Sequence, residues 1–200
     1  MRRTRGLAVL AALALVPSAA RAQVFTQADK KAILVAHNQA RCAVSPTAQT
    51  MPALVWNTAL ETTAQTWASS CVDNDLNGLI DHNLNRSDGH PYYVGENIYA
   101  SGGTASPTQA VFLWVSESAN YNLAANTCSG VCGHYTQVVW ANTLELGCAR
   151  ALCSLTYPSG IVCDYGPGGN YLGQRPYVAG SGVNAACDLI FDDGFEPPVL

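Results

Sequence analysis

The sequence predicts an α+β fold in which amphipathic helices and an antiparallel hairpin share one disulfide-stapled core. Three observations carry this expectation. Apolar residues recur at helical spacing behind helix-start residues, a later stretch alternates and turns back on itself, and eight cysteines stand in a 200-residue chain that opens like an exported one.

Thr26 to Arg41 reads as the first helix, with Asp29 in its opening turn and the apolar stretch Ile33-Leu34-Val35-Ala36 behind it. Pro46 and Pro52 then bracket a loop. From Asn57 onward Leu60, Ala64, Trp67 and Cys71 fall on one helical stripe, which predicts a second helix packed on that face. Asp73 to Gly95 is polar and rich in turn formers, so it reads as mostly irregular. Ser106-Pro107-Thr108-Gln109 offers an N-cap, a proline in the first helical position and a capping-box partner, and Ala110, Val111, Leu113 and Trp114 continue a third helix. Gly133 to Trp140 reads as a shorter helical or mixed segment. Leu144, Leu146 and Cys148 alternate with Glu145 and Gly147, Tyr157-Pro158-Ser159-Gly160 makes a turn, and Ile161 to Tyr165 returns, which is a hairpin pattern. Gly166-Pro167-Gly168-Gly169 lacks the Gly-Lys-Ser/Thr of a phosphate loop and reads as a turn.

The chain begins with a basic stretch (Arg2, Arg3, Arg5), an apolar run from Gly6 to Val16 and a small-residue exit at Ala20-Arg21-Ala22. That is the pattern of a signal peptide over residues 1–22, cleaved before Gln23. The apolar run is shorter than the ~20 residues that span a bilayer, so no transmembrane segment is expected. Arg2-Arg3 is followed by Thr-Arg-Gly rather than an apolar signature, so ordinary secretion is favoured over twin-arginine export. The expected address is extracellular, or periplasmic for an unreleased protein of a Gram-negative cell. Removing the leader leaves six Lys and Arg against fourteen Asp and Glu, a balance of −8. Scattered cations in an acidic chain exclude nucleic acid as a partner and disfavour anionic membranes. The C-terminal segment, residues 181–200, reads as an extension ending in an acidic tail; its Ile190 to Glu196 resembles the tails of some exported bacterial proteins.

The cysteines are Cys42, Cys71, Cys128, Cys132, Cys148, Cys153, Cys163 and Cys187, an even set that predicts four bridges and no free thiol. Eight cysteines allow on the order of a hundred pairings. No Cys-x-x-Cys pairs occur, so a zinc ribbon is excluded.

Four ionisable residues stand out by position. Glu117 lies one turn beyond Leu113 and Trp114, beside an apolar face where a carboxylate needs a partner. His134 follows Cys132-Gly133, Glu96 precedes Asn97 and apolar Ile98, and His82 lies in the polar loop after the second helix. Their surroundings, Gly95-Glu96-Asn97-Ile98, Trp114-Val115-Ser116-Glu117, Cys132-Gly133-His134-Tyr135-Thr136-Gln137-Val138-Val139-Trp140 and Cys163-Asp164-Tyr165-Gly166-Pro167-Gly168-Gly169-Asn170-Tyr171, occur in the order seen in the CAP superfamily. His37-Asn38-Gln39-Ala40-Arg41 and Gly173-Gln174-Arg175-Pro176-Tyr177 match its opening and close, so the resemblance spans about residues 28–177 of a domain placed at 23–180.

The resemblance implies a three-layer α-β-α sandwich: a small, mainly antiparallel sheet between helical layers, with an open cleft holding two histidines and two glutamates. By motif these are His82, Glu96, Glu117 and His134. His90 stands nearer Gly95, but Asp81-His82-Asn83 better resembles the family segment. Imidazole and carboxylate together suit zinc or magnesium, although no cofactor is required. His37 on the first helix is expected to be structural, and the four tryptophans read as core. The same resemblance implies a Cys148–Cys163 bridge and one from Cys71 to Cys132 or Cys153. Cys42 and Cys187 lie outside the common plant pattern and are expected to pair.

For function the resemblance implies non-enzymatic binding of a lipid (sterol or fatty acid), or of an extracellular protein or wall component. The segment Asn120 to Val131, aromatic-rich in sterol-exporting fungal relatives, holds only Tyr121 here. The alternative is a metal-assisted hydrolase or peptidase with Glu96 or Glu117 as general base. The chain contains no His-Glu-x-x-His helix and no Gly-x-Ser-x-Gly elbow.

Overall fold

Thr26 opens the first helix through a reciprocal capping box, its hydroxyl accepting from the Asp29 N–H while the Asp29 carboxylate accepts from the Thr26 N–H. In this computed structural model, which describes residues 21–182 and 184–188, the chain runs β1 (Arg21–Gln23), α1 (Gln27–Cys42), β2 (Val55–Trp56), α2 (Thr58–Ser70), β3 (Gly95–Ser101), α3 (Pro107–Ser116), a 3-10 turn (Glu117–Asn120), β4 (Tyr121–Asn122), β5 (Thr127–Cys128), α4 (Gly133–Val138), β6 (Glu145–Leu152), β7 (Ser159–Gly166) and α5 (Ala185–Asp188). The leader lies outside the described residues except for Arg21 and Ala22, which belong to β1; the tail from residue 189 lies outside them too. Among the described residues no helix is long and apolar enough to cross a membrane.

The main sheet has the order β1-β6-β7-β3, antiparallel throughout, with β2 added parallel to β6. Side chains alternate between its faces. On one face Ala64 and Ala68 of α2 meet Ala149, Ala151 and Val162, with Ile80 and Ile98 beside them. This approach is close enough to demand glycine at position 147, where a Cβ would lie 2.1 Å from the Glu61 nitrogen. On the other face Leu146, Ile161 and Tyr165 pack with Ile33 of α1, Val111 and Trp114 of α3, and Val138 of α4. The result is three layers around a small sheet, the expected α-β-α sandwich.

Asn57 caps α2 by accepting from the Ala59 and Leu60 N–H groups. At the start of α3 the expected capping box is absent. Ser106 is the N-cap and Pro107 follows it, but no side chain bonds the helix end, and the Ser106 hydroxyl pairs with Thr108 instead. Proline already removes one of the orphan donors there, so less is left for a capping side chain to satisfy.

Buried polar groups pin the layers. The Arg41 guanidinium, fully buried, donates five hydrogen bonds to the carbonyls of Pro52, Val138, Trp140 and Thr143, and burial pushes its pKa down to about 9. Four bridges add covalent ties: Cys42–Cys187, Cys71–Cys153, Cys128–Cys132 and Cys148–Cys163. The last joins residues directly opposite in the β6–β7 register. Cys71 thus takes Cys153, and Cys132 takes the near neighbour Cys128 just ahead of α4.

Candidate functional site

β3 is an edge strand, so its flank is open to side chains from both outer layers. Glu96 and Asn97, successive residues on it, project to opposite faces. Glu96 sits on the α2 side, its side chain 1% exposed, and its Oε1 accepts from the Asn83 N–H at 3.0 Å and lies 2.6 Å from His82 Nδ1. On the far side Glu117, where α3 gives way to the 3-10 turn, lies 2.6 Å from His134 Nδ1 and accepts from the backbone N–H groups of His134 and Tyr135. Glu117 therefore caps α4, whose N-cap Cys132 offers no side-chain bond. The His134 ring lies over Trp114, with centroids 6.2 Å apart and planes 18° from parallel.

His82, Glu117 and His134 border one cleft of about 650 Å³, together with Asp81, Trp114 and Tyr157. Each glutamate accepts at a histidine Nδ1, so Nδ1 carries the proton and, in the neutral ring, Nε2 keeps its lone pair. Among the described residues neither Nε2 has a hydrogen-bond partner. His90 is placed elsewhere: its ring bonds the Thr63 hydroxyl and stacks on Tyr92. His37 is fully buried, with Nδ1 at 2.8 Å from the Ile33 carbonyl and Nε2 at 2.8 Å from the Tyr165 hydroxyl.

Asp164 is the cross-strand neighbour of Glu96 in the β3–β7 register. It is fully buried, and neither of its oxygens has a partner among the described residues; one Glu96 oxygen is in the same condition. Burial first, then the Glu96 charge, pushes the Asp164 pKa well above the usual carboxylate range.

A second polar group, two of whose members, Asp75 and Asp81, line the same cleft, went unread in the sequence. Asp73, Asp75 and Asp81 bring one carboxylate oxygen each within 4.8 Å of one another, the one such set of three or more possible ligands among the described residues. The His82/Glu96/Glu117/His134 set does not converge that closely; it is two separate pairs. The signal for the acidic group was spacing: Asp73, Asp75, Asn77, Gly78 and Asp81 occupy the first, third, fifth, sixth and ninth places of a helix-loop-helix calcium loop, with Leu84 where that loop has its final glutamate. Gly78 takes the left-handed turn, at φ +84°, and its N–H is accepted by Asp73.

An apolar trough lies apart from this cleft. About 800 Å³ between α1 and α3 is bordered by Ala32, Val35, Ala36, Val111, Phe112 and Val115. Past Ala40 and Ala43 it adjoins a hollow of about 900 Å³ edged by Tyr121, Tyr135, Tyr177 and Arg175.

Residues 34–165 match the model of the CAP family, described as the cysteine-rich secretory protein family. Pathogenesis-related protein 1 of Arabidopsis thaliana is 46% identical over 142 residues, covering 71% of this chain and 78% of that protein. GLIPR1-like protein 1 of Mus musculus is 39% identical over 159 residues, covering 74% of this chain and 64% of that longer protein. Among solved structures, venom allergen-like protein 4 of Schistosoma mansoni superposes with a TM-score of 0.65 at 28% identity, over 78% of this chain and 97% of the other. NaASP2, solved with Zn2+, superposes with a TM-score of 0.62 at 28% identity, over 78% of this chain and 87% of the other. The sandwich around a small sheet, the four bridges and these matches together place the chain in the CAP family.

Proposed function

We propose that the protein acts outside the cytoplasm as a non-enzymatic binding protein whose cleft holds a divalent cation between His82 and His134. The observation that carries this reading is the pair of imidazoles bordering one cleft, each with Nδ1 held by a glutamate and Nε2 free. A carboxylate on the far ring nitrogen fixes the tautomer and raises the basicity of the ligating one, which is how metal-binding histidines are commonly supported. Zinc suits two imidazole nitrogens, and a similar chain was solved with it. Magnesium, a harder ion, fits the oxygen group of Asp73, Asp75 and Asp81 better.

Two protein nitrogens are fewer than the three protein ligands usual at a catalytic zinc, so water or a bound partner would fill the remaining positions and the ion would exchange readily. The glutamates are also poorly placed as bases. Glu96 is nearly inaccessible and already bonded to His82 and Asn83, while Glu117 accepts from His134 and Tyr135. Proton abstraction from a water would break bonds that position the site. This favours binding over hydrolysis. The apolar trough between α1 and α3 favours a single acyl chain as a further ligand, with the tyrosine-edged hollow beside it for a polar head.

The test is calorimetric titration of zinc and magnesium into the metal-free protein and its His82→Ala and His134→Ala variants. Zinc binding that weakens in both variants supports the reading; zinc binding indifferent to both refutes it. Magnesium heat that survives both variants would belong to the acidic group. For the trough, displacement of a fluorescent fatty acid is measured in parallel, and Ala36→Phe is expected to abolish it.

A further inference from the structure

We infer that Asn97 is a positioning residue that sets the separation of the two cleft histidines by holding the backbone of His134 to the strand whose preceding residue holds His82. The inference deepens the cation reading above and rests on it for its metal consequences. Glu96 grips His82 from one face of β3, and the Asn97 amide donates to the His134 carbonyl at 3.0 Å from the other. Each histidine is thereby tied to the same edge strand, one residue apart. α4 has only six residues and no side-chain cap at Cys132, so its place depends on outside contacts. Glu117 supplies one set, on the outer side, and Asn97 ties the His134 carbonyl to the sheet.

The Asn97 amide is oriented twice over: the His134 carbonyl can only accept, and a buried chain of hydrogen bonds through Tyr165 independently fixes the same direction. The Ile33 carbonyl only accepts, so His37 Nδ1 donates to it. Burial first, and then the Arg41 charge, hold the His37 pKa down to about 4, so the ring is neutral and Nε2 accepts from the Tyr165 hydroxyl. The Tyr165 oxygen is then open to accept, and Asn97 Nδ2 donates to it at 3.1 Å. Both Asn97 N–H bonds are thus assigned, one to Tyr165 and one to His134. A flipped amide would set its oxygen against the His134 carbonyl, two acceptors in contact inside a buried site where Asn97 is 1% exposed.

The experiment has two arms, each on the full chain. In the metal-free protein, nitrogen-15 NMR of the histidine rings reads the tautomer and the exchange of the Nδ1 proton. In Asn97→Ala the His134 Nδ1–H is expected to exchange faster while the His82 signal stays as in the parent, and in Tyr165→Phe both rings are expected to stay put although stability falls. Zinc titration is the second arm: Asn97→Ala is expected to bind about 10-fold more weakly or worse, as loss of a supporting partner does elsewhere, with Tyr165→Phe within about 3-fold of the parent. Asn97→Ser is carried alongside, since its short hydroxyl cannot reach the His134 carbonyl and it removes less volume should the alanine variant fail to fold. An unchanged His134 ring in a folded Asn97 variant overturns the inference, as does unchanged zinc affinity. A parent protein that binds no zinc would overturn the cation reading, and the ring signals alone would then decide the role of Asn97.

Discussion

Lowering the pH from about 7.5 to about 4.5 is expected to remove about 2–3 kcal/mol of folding stability through His37 alone. The ring is fully buried, held neutral between the Ile33 carbonyl and the Tyr165 hydroxyl, with its pKa lowered from 6.5 to about 4. In the unfolded chain it takes up a proton below pH 6.5, while the fold refuses one until about pH 4. Between those values the unfolded state binds more protons, so stability is fully present above 6.5 and is lost as the pH falls toward 4. Other groups titrate in this range, so the contribution is isolated by difference. The double variant His37→Leu/Tyr165→Phe removes the titrating ring together with its hydroxyl partner; it also takes away the acceptor of the Asn97 amide, so its absolute stability is expected to be lower and only the pH dependence is compared. Guanidinium unfolding followed by tryptophan fluorescence at several pH values gives both curves. The parent should lose about 2–3 kcal/mol more than the double variant across the interval. Parallel curves would refute the assignment of a neutral, proton-excluding His37.

Three further outcomes follow from named contacts. Replacing both Cys42 and Cys187 by alanine should lower stability by about 4 kcal/mol in the chain-entropy account, because the 145-residue separation is already shortened by the enclosed Cys71–Cys153 bridge to a loop of about 65 residues; denaturant midpoints with the other bridges intact measure it. Glu117→Gln removes one of the three bonds accepted from His134 and Tyr135, and should cost about 1–2 kcal/mol by thermal unfolding and weaken zinc about 10-fold by calorimetry. Asp164→Asn should gain on the parent as pH rises, since burial and the Glu96 charge raise the folded carboxyl above its unfolded value and the stability it contributes when protonated is lost as pH rises; the advantage should be absent below the usual carboxylate range and grow above it, read from paired unfolding curves.

Much of the scaffold was legible because its signals are local. Thr26 with Asp29, Asn57 ahead of Leu60 and Ala64, and the β6–β7 alternation each declare an element within a few residues. β3 was not read as a strand: Gly95 to Ser101 is hydrogen-bonded only to β7, some sixty residues later in the chain, and its own residues do not alternate cleanly between apolar and polar. The Ser106 cap misled for the opposite reason, since its local pattern is complete but the chain uses the serine hydroxyl on Thr108. Motif resemblance named His82, Glu96, Glu117 and His134, of which His82, Glu117 and His134 border the cleft and Glu96 lies beneath it holding His82. It left the Asp73/Asp75/Asp81 group unread, although that spacing was visible.

By itself the sequence determined the α+β class, the three main helices, the hairpin, the even cysteine set and the residue types available for a cleft, all properties of neighbours along the chain. Tertiary structure decided which glutamate holds which histidine, that Cys71 meets Cys153 and Cys128 meets Cys132, and that Asn97 reaches both Tyr165 and His134. It also decided that Asp164 faces Glu96 without a donor. Most of these are meetings between distant segments, and those made from β3 depend on which face a side chain leaves from: a shift of one residue in its register would move Glu96 and Asn97 to the opposite faces.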